Sequence, residues 1–334
     1  MILVTGGTGF IGGHLLLYLT RKGESVRAIY RREESIDKTK NLFNIYSAQP
    51  NELFSKIEWL KADVTDIVSL ERVFNNINQV YHLAATVSFN PKDNEMLHLV
   101  NVEGTANMVN LAIDHKVDKF VHLSSIAALG TYDNPITEKT HWTWKNHGSE
   151  YAVTKYLSEM EVWRATQEGL NAVILNPSVV LGAGFWHEGS GIFFDKIAGG
   201  FKFYAEGIVG FVDVWDVVKA MHDLMHSTII NDAFIVSAEN LSYKELFSKI
   251  AKGFQQKPPH IKLQKWMTAL LWREEWFRTK LFGGTPLLTK STAKTAFDKS
   301  FYTSEKLQKA LSFNFIPIDA TINNIVEKYK ITKH

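Results

Sequence analysis

A short apolar run, Ile2-Leu3-Val4-Thr5, ends abruptly in Gly6-Gly7-Thr8-Gly9-Phe10-Ile11-Gly12 and passes into an amphipathic stretch carrying Leu15, Leu16 and Leu19. Nothing else in the chain constrains the fold as strongly. A strand that turns through glycines into a helix is the opening unit of an open α/β sheet. Gly7-x-Gly9-x-x-Gly12 has the G-x-G-x-x-G spacing, in which glycines allow a tight turn and bring backbone N–H groups and a helix N-terminus up to a pyrophosphate. Gly6, Gly9, Phe10, Ile11 and Gly12 are therefore candidate dinucleotide contacts. Lys22-Gly23 closes the helix with a cationic last turn and a stop.

The 334 residues are 45% apolar, enough for a large core and for two domains or one elaborated domain. A net charge of +2 without a basic block argues against a nucleic-acid binder. The absence of cysteine excludes disulfides and thiolate metal sites and fits a reducing cytoplasm, the expected location. The glycines and the missing charged n-region set the N-terminus apart from a signal peptide, and no apolar run reaches the ~20 residues of a membrane span.

The first half alternates strand-like segments at 2–5, 25–30, 57–62, 78–84, 118–124 and 171–176 with helical patterns near 11–22, 66–76, 93–116 and 149–169. Residues 33–56 read as a longer, partly charged insertion. This order predicts an α/β fold with a Rossmann-type, doubly wound parallel sheet. Phe211-Val212-Asp213-Val214 and Ala233-Phe234-Ile235-Val236 read as later strands of that sheet, separated by a helix. Gly-rich loops and helices at 242–255, 264–282, 303–311 and 317–330 predict a smaller, mostly helical C-terminal substrate lobe. The expected division assigns 1–176 and 211–237 to cofactor binding, and 177–210 and 238–334 to the lobe.

A Tyr-x-x-x-Lys pair sets a phenol and an ammonium on one helix face, where the cation favours the phenolate. Spacing alone selects nothing, because Tyr18/Lys22, Tyr151/Lys155, Tyr302/Lys306 and Tyr329/Lys333 all fit. Context selects Tyr151/Lys155. Its helix follows the fifth strand, which ends in Ser124-Ser125 and delivers a hydroxyl to the carboxyl edge of the sheet.

Thr5-Gly6-x-x-Gly9-x-x-Gly12, Asp63-Val64, His82-Leu83-Ala84-Ala85, Asn101-Val102-x-Gly104-Thr105, Ser124-Ser125, Tyr151-x-x-x-Lys155 and Asn176-Pro177 occur in an order that resembles the extended short-chain dehydrogenases/reductases, of the epimerase/dehydratase-like branch. The resemblance covers about residues 1–237. It implies Ser125 as catalytic serine, Tyr151 as general acid/base and Lys155 as its electrostatic partner at the nicotinamide ribose. It further implies Asp63 and Val64 at the adenine, Leu83, Ala84, Ala85 and Pro177 along the cofactor, Thr86 and Asn176 near substrate, and a homodimer built on the helices near 93–116 and 149–169. Met96, Leu99, Val100, Met108, Leu111 and Ala112 supply an apolar stripe for that dimer, although a helix buried within one chain shows the same stripe.

An acidic residue commonly meets the ribose hydroxyls at the end of the second strand. Here the sequence is Tyr30-Arg31-Arg32, and guanidinium grips a 2′-phosphate. The reading favours NADP(H) over NAD(H), and net reduction over the epimerases' internal recycling. Nucleotide-sugar enzymes of the family typically carry an Arg before their Val-x-Asp segment, where this chain has Val209-Gly210. Phe185, Trp186 and the aromatic residues Trp266, Trp272 and Trp276 suit a medium-sized, largely apolar carbonyl substrate, as in enzymes similar to dihydroflavonol reductases and hydroxysteroid dehydrogenases. Asn176-Pro177 keeps a nucleotide-sugar epimerase or dehydratase using bound NAD open, and a redox-sensing protein without turnover is the third class. The Trp-rich 264–282 stretch reads as core or lid, with membrane-surface contact as the lesser alternative. His222-Asp223-Leu224-Met225-His226 has the spacing of a helical zinc site, but no third ligand is evident, so no metal is expected.

Overall fold

The computed structural model describes residues 1–130, 135–145, 148–264, 266–267 and 296–333. Strands β1 (Ile2–Thr5), β2 (Val26–Tyr30), β3 (Ile57–Lys61), β4 (Gln79–His82), β5 (Lys119–Leu123) and β6 (Ala172–Pro177) alternate with helices α1 (Phe10–Lys22), α2 (Ile36–Tyr46), α3 (Pro50–Ser55), α4 (Ile67–Glu71), α5 (Asn94–His98), α6 (Gly104–Asp114) and α7 (Glu150–Gln167). The rest of the chain adds β7 (Val179–Leu181), α8 (Gly191–Ala198), β8 (Phe203–Tyr204), β9 (Ile208–Asp213), α9 (Val214–His226), β10 (Asp232–Val236), β11 (Glu239–Ser242), α10 (Tyr243–Gly253), β12 (Ile261–Lys262), α11 (Glu305–Leu311) and α12 (Ile318–Lys333). The main sheet has seven strands in the order β10-β6-β5-β4-β1-β2-β3, every pair parallel. Its order reverses between β1 and β4, which opens a crevice at their carboxyl ends.

Alternation along the strands decides which helices cover which face. Ile2, Val4, Tyr81, Val121, Leu123, Val173 and Leu175 share a core with α1 and α9. Their neighbours Leu3, Val80, Phe120, Ala172 and Ile174 share the other core with α6 and α7. α1 ends at Gly23, whose left-handed φ of 81° lets its N–H turn back onto the Leu19 and Thr20 carbonyls.

Two sequence expectations change here. The presumed insertion at 33–56 is helical, and α2 buries Thr39, Leu42 and Phe43 on one side. Phe211–Val214 does not continue the main sheet. β9 pairs with β7 and β11 in a separate three-stranded sheet, and only β10 extends the seven-stranded one. Among the described residues, Leu181, Trp186, Phe194, Phe211, Leu246, Ile250, Ile318, Ile322 and Ile325 form a third core. Residues 268–295, including Trp272 and Trp276, lie outside the described residues, so most of the expected 264–282 helix does too. Among the described residues, no helix is long and apolar enough to cross a membrane.

Candidate active site

The β1–α1 turn is closed by the Gly9 N–H donating to the Gly6 carbonyl at 3.0 Å. Gly6 has a φ of +69°, and a Cβ there would stand 2.7 Å from the Ala84 nitrogen; one on Gly12 would stand 2.1 Å from the Gly6 oxygen. Only glycine fits either place. Gly9 caps α1 without a side chain, and the first turn holds no acid, so its N–H groups and dipole are left for an anion. The site therefore suits a dinucleotide pyrophosphate.

The cleft beside this turn has a volume of about 240 Å³. Of the residues expected at the cofactor, Gly6, Gly9, Arg31, Arg32, Val64, Leu83, Ala84 and Ala85 line it. Thr8, Tyr30, Ser35 and Lys38 join them unpredicted. Five predicted contacts do not line it. Gly12 supports the turn from behind. Phe10 packs edge-on against Phe185 at 5.8 Å, and Ile11 packs against the main core. Pro177 pairs in register with Val236 at the end of β6. Asp63 accepts from the Thr65 N–H and hydroxyl, lies 3.9 Å from Arg31 and faces the adjoining cavity shared with Lys61 and Arg72.

A buried chain of hydrogen bonds fixes the cleft wall. Thr5 Oγ1 accepts from the Leu83 and Ala84 N–H groups, each at 3.1 Å, which directs its own hydrogen to His82 Nδ1 at 2.8 Å. His82 Nε2 then donates to Thr105 Oγ1, and Thr105 donates to the Asn101 carbonyl. Burial, aided by the Lys155 charge, depresses His82 to about 3, so the imidazole stays neutral and serves as a fixed link. A π-helical stretch, Leu99–Glu103, carries Asn101. Its amide accepts from Thr86 N–H and donates to both the Thr86 carbonyl and Thr154 on α7.

Ser125 follows β5 and caps the 3-10 turn Ile126–Leu129. Ser149 caps α7 and sets Tyr151 in its first turn. Burial pushes the Tyr151 phenol up to about 12, opposed by a hydrogen bond with the Ser125 side chain. Lys155, 3% exposed, donates to the Leu123 carbonyl at 2.9 Å. Burial lowers it to about 8, while Glu159 holds it up. Its ammonium is thus bound at the end of β5, one helical turn along α7 from Tyr151.

The other three Tyr-x-x-x-Lys pairs have different partners. Lys22 lies over the Tyr18 ring, Lys306 is paired with Asp232, and Tyr329 and Lys333 both reach Asp195.

Four residues expected on the substrate side are placed as follows. Asn176 is fully buried and donates its amide nitrogen to Glu159 at 2.5 Å and to the Ser125 carbonyl at 3.1 Å, so it braces the chain just after β5. Trp186 sits in the third core, edge-on to Tyr329 at 4.9 Å, and Phe185 is buried against Phe10. Trp266 is 65% exposed. The aromatic ring beside the phenol is Phe89, edge-on to Tyr151 at 5.7 Å, with exposed Val87 nearby in sequence. Thr86 stays half-buried at the start of this loop. The sequence signal for Phe89 was its place just after Ala84-Ala85. Glu159 had none beyond its position one turn after Lys155.

A sequence model of the NAD dependent epimerase/dehydratase family matches residues 2–236. The chain is 27% identical over 327 residues to a putative dihydroflavonol 4-reductase of Synechocystis sp., covering 92% of this chain and 88% of that one. It is 28% identical over 278 residues to cinnamoyl-CoA reductase 1 of Petunia hybrida, with 77% and 78% covered. Its fold matches the crystal structure of gox2253 with a TM-score of 0.80 at 26% identity, covering 99% and 98% of the two chains. A UDP-glucose 4-epimerase from Thermotoga maritima, solved with UDP-glucose, matches at 0.75 and 22% over 100% and 99%. With a family match across most of its length and reductase relatives over more than three quarters of it, the chain belongs to the NAD dependent epimerase/dehydratase family and is an NAD(P)-dependent enzyme of the extended short-chain dehydrogenase/reductase type.

Proposed function

We propose that this enzyme interconverts a carbonyl and an alcohol on a medium-sized, largely apolar substrate, using NADP(H). The observation that carries the reading is the buried Tyr151 phenol in the first turn of α7, flanked by the Phe89 ring, with Ser125, whose side chain opposes the rise of that phenol, just after β5. When bound, a nicotinamide would supply hydride to the carbonyl carbon. Tyr151 gives its phenolic proton to the carbonyl oxygen, Ser125 donates a hydrogen bond to that oxygen, and Lys155 favours the phenolate left behind. Phe89 and Val87 offer apolar contact to the substrate, where each buried Å² contributes about 25 cal/mol. The dihydroflavonol and cinnamoyl-CoA reductase relatives support this direction of chemistry. Incubation with aryl and alicyclic ketones and aldehydes should consume NADPH, while calorimetry with UDP and UDP-sugars should give no tight binding. Micromolar UDP binding without ketone turnover would overturn the reading in favour of a nucleotide-sugar epimerase.

The preference for NADP(H) rests on the end of the cleft, where Arg31, Arg32, Ser35 and Lys38 converge. Each cation already faces a carboxylate: Asp63, Glu34 and Glu188 respectively. A 2′-phosphate presents more charge and more acceptor oxygens than any of these. Arg31→Asp should weaken NADPH about ten- to hundred-fold, the loss of one charge-assisted pair, and leave NADH little changed. Equal affinities of the wild type for both cofactors would refute the preference.

The homodimer stands on a smaller surface than the sequence suggested. Val100, Met108, Leu111 and Ala112 belong to the core of one chain, whereas Met96, Leu99 and Met160 are 46%, 38% and 36% exposed. Sedimentation should give a dimer at micromolar concentration, and a strict monomer would end the proposal.

A further inference from the structure

The pair His222 and His226, set aside in the sequence for want of a third ligand, acquires one in the fold. Glu24 lies between α1 and β2, and α1 packs against α9. Donor atoms of Glu24, His222 and His226 all stand within 4.8 Å of one another. His226 Nε2 is 4.0 Å from Glu24 Oε1. Zinc bonds of about 2.0–2.1 Å in tetrahedral geometry place neighbouring donors about 3.3 Å apart, so this edge needs to close by well under one ångström.

His226 is set up to offer Nε2. His226 Nδ1 is 2.9 Å from the His222 carbonyl, which fixes its proton on Nδ1 and leaves the Nε2 lone pair free. His222 Nδ1 has no hydrogen-bond partner and lies 3.6 Å from Asp223 Oδ1. A small ring rotation would give the carboxylate–histidine–metal arrangement that orients a ligand. Asp223 is itself held by Lys219 at 2.5 Å. The remaining cation, Lys22, lies over the Tyr18 ring at 5.6 Å, and that ring meets His222 edge-on. The two rings stand 4.4 Å apart on half-exposed surface, leaving the solvent side for water as a fourth ligand.

We propose that Glu24, His222 and His226 form a binding site for a divalent transition ion of the zinc class. Glu24 sits just before the amino end of β2, whereas the cofactor cleft lies at the carboxyl ends of the strands. The ion would therefore tie α9 to the α1–β2 connection and take no part in the reaction.

Calorimetry of chelator-treated full-length protein with zinc chloride tests this, alongside thermal unfolding with and without the ion. The expected result is one zinc per chain at micromolar or lower Kd, with a higher Tm in its presence. His226→Ala and Glu24→Gln should each weaken binding at least tenfold, while His260→Ala, an exposed histidine elsewhere, should leave it unchanged. Absence of binding by the wild type overturns the site. So does binding that survives His226→Ala, or that falls in His226→Ala but not in Glu24→Gln. Ketone reduction is not a readout, so the outcome is independent of the proposed activity.

Discussion

Tyr151→Phe should lower kcat about 10²–10⁴-fold, which corresponds to roughly 3–5 kcal/mol of lost transition-state stabilisation, and leave cofactor affinity within a few-fold of wild type. The change deletes one oxygen from a residue whose ring is fixed by its place in the first turn of α7 and by its edge-on contact with Phe89. The glycine turn at Gly6–Gly12 and the wall built by Thr5 and His82 remain as they are, and these form the pyrophosphate end of the cleft. Loss should therefore fall on turnover and spare binding. Tyr302→Phe is the control. That phenol is also raised to about 12 by burial, but its partner is Ser300 in another part of the molecule. Its removal should cost about 1 kcal/mol of stability without changing turnover. Steady-state kinetics on an accepted ketone, with cofactor titration by fluorescence, separates the two effects. A Tyr151→Phe enzyme within tenfold of wild-type kcat would remove Tyr151 from the mechanism.

The glycine turn and the parallel sheet were legible because each is a local signal backed by element order, and element order is also what singles out Tyr151/Lys155 among four equivalent spacings. Other features depended on tertiary partners. β9 has the alternation of any half-buried strand, and nothing in Phe211-Val212-Asp213 says that it pairs with β7 and β11 instead of the main sheet. α2 hides its helical period beneath charges, and so Ser35 and Lys38 were missed as cleft residues although Thr39, Leu42 and Phe43 keep the buried spacing. Trp186 was read as a pocket wall because aromaticity does not distinguish a substrate surface from a core. Its ring packs against Tyr329, far along the chain. Asn176 shows the same limit in a polar residue: the sequence marks it as important, and only the fold shows that its amide nitrogen is held by Ser125 and Glu159.

Glu159→Leu should be the most damaging single change to stability near the site, at roughly 3–5 kcal/mol, because it removes one partner of a buried charged network and leaves the rest in place. Glu159 is 6% exposed, and its Oε1 accepts from Ser124 Oγ and from Asn176 Nδ2. Burial raises its carboxyl to about 7, against the pull of Ser124, Asn176 and the Lys155 charge. Its contribution to stability is therefore full below its ordinary value of 4.5 and is lost as pH rises through about 7. Lys155 behaves oppositely: depressed from 10.5 to about 8, it contributes fully at high pH and loses that contribution as pH falls through about 8. Both groups are charged together chiefly between these two values, and there each offsets the other's desolvation. Leucine abolishes that compensation, whereas glutamine mimics the protonated carboxyl and keeps an oxygen for Ser124 and Asn176. Glu159→Gln should accordingly follow wild-type turnover below about pH 7 and separate from it above. Without the Glu159 charge Lys155 gives up its proton at lower pH, so the alkaline limb of kcat should move down. Chemical denaturation at neutral pH and a kcat–pH profile measure the two effects. A leucine variant as stable as wild type, or a glutamine variant whose alkaline limb is unmoved or shifted upward, would show that Glu159 does not hold the Lys155 charge in place.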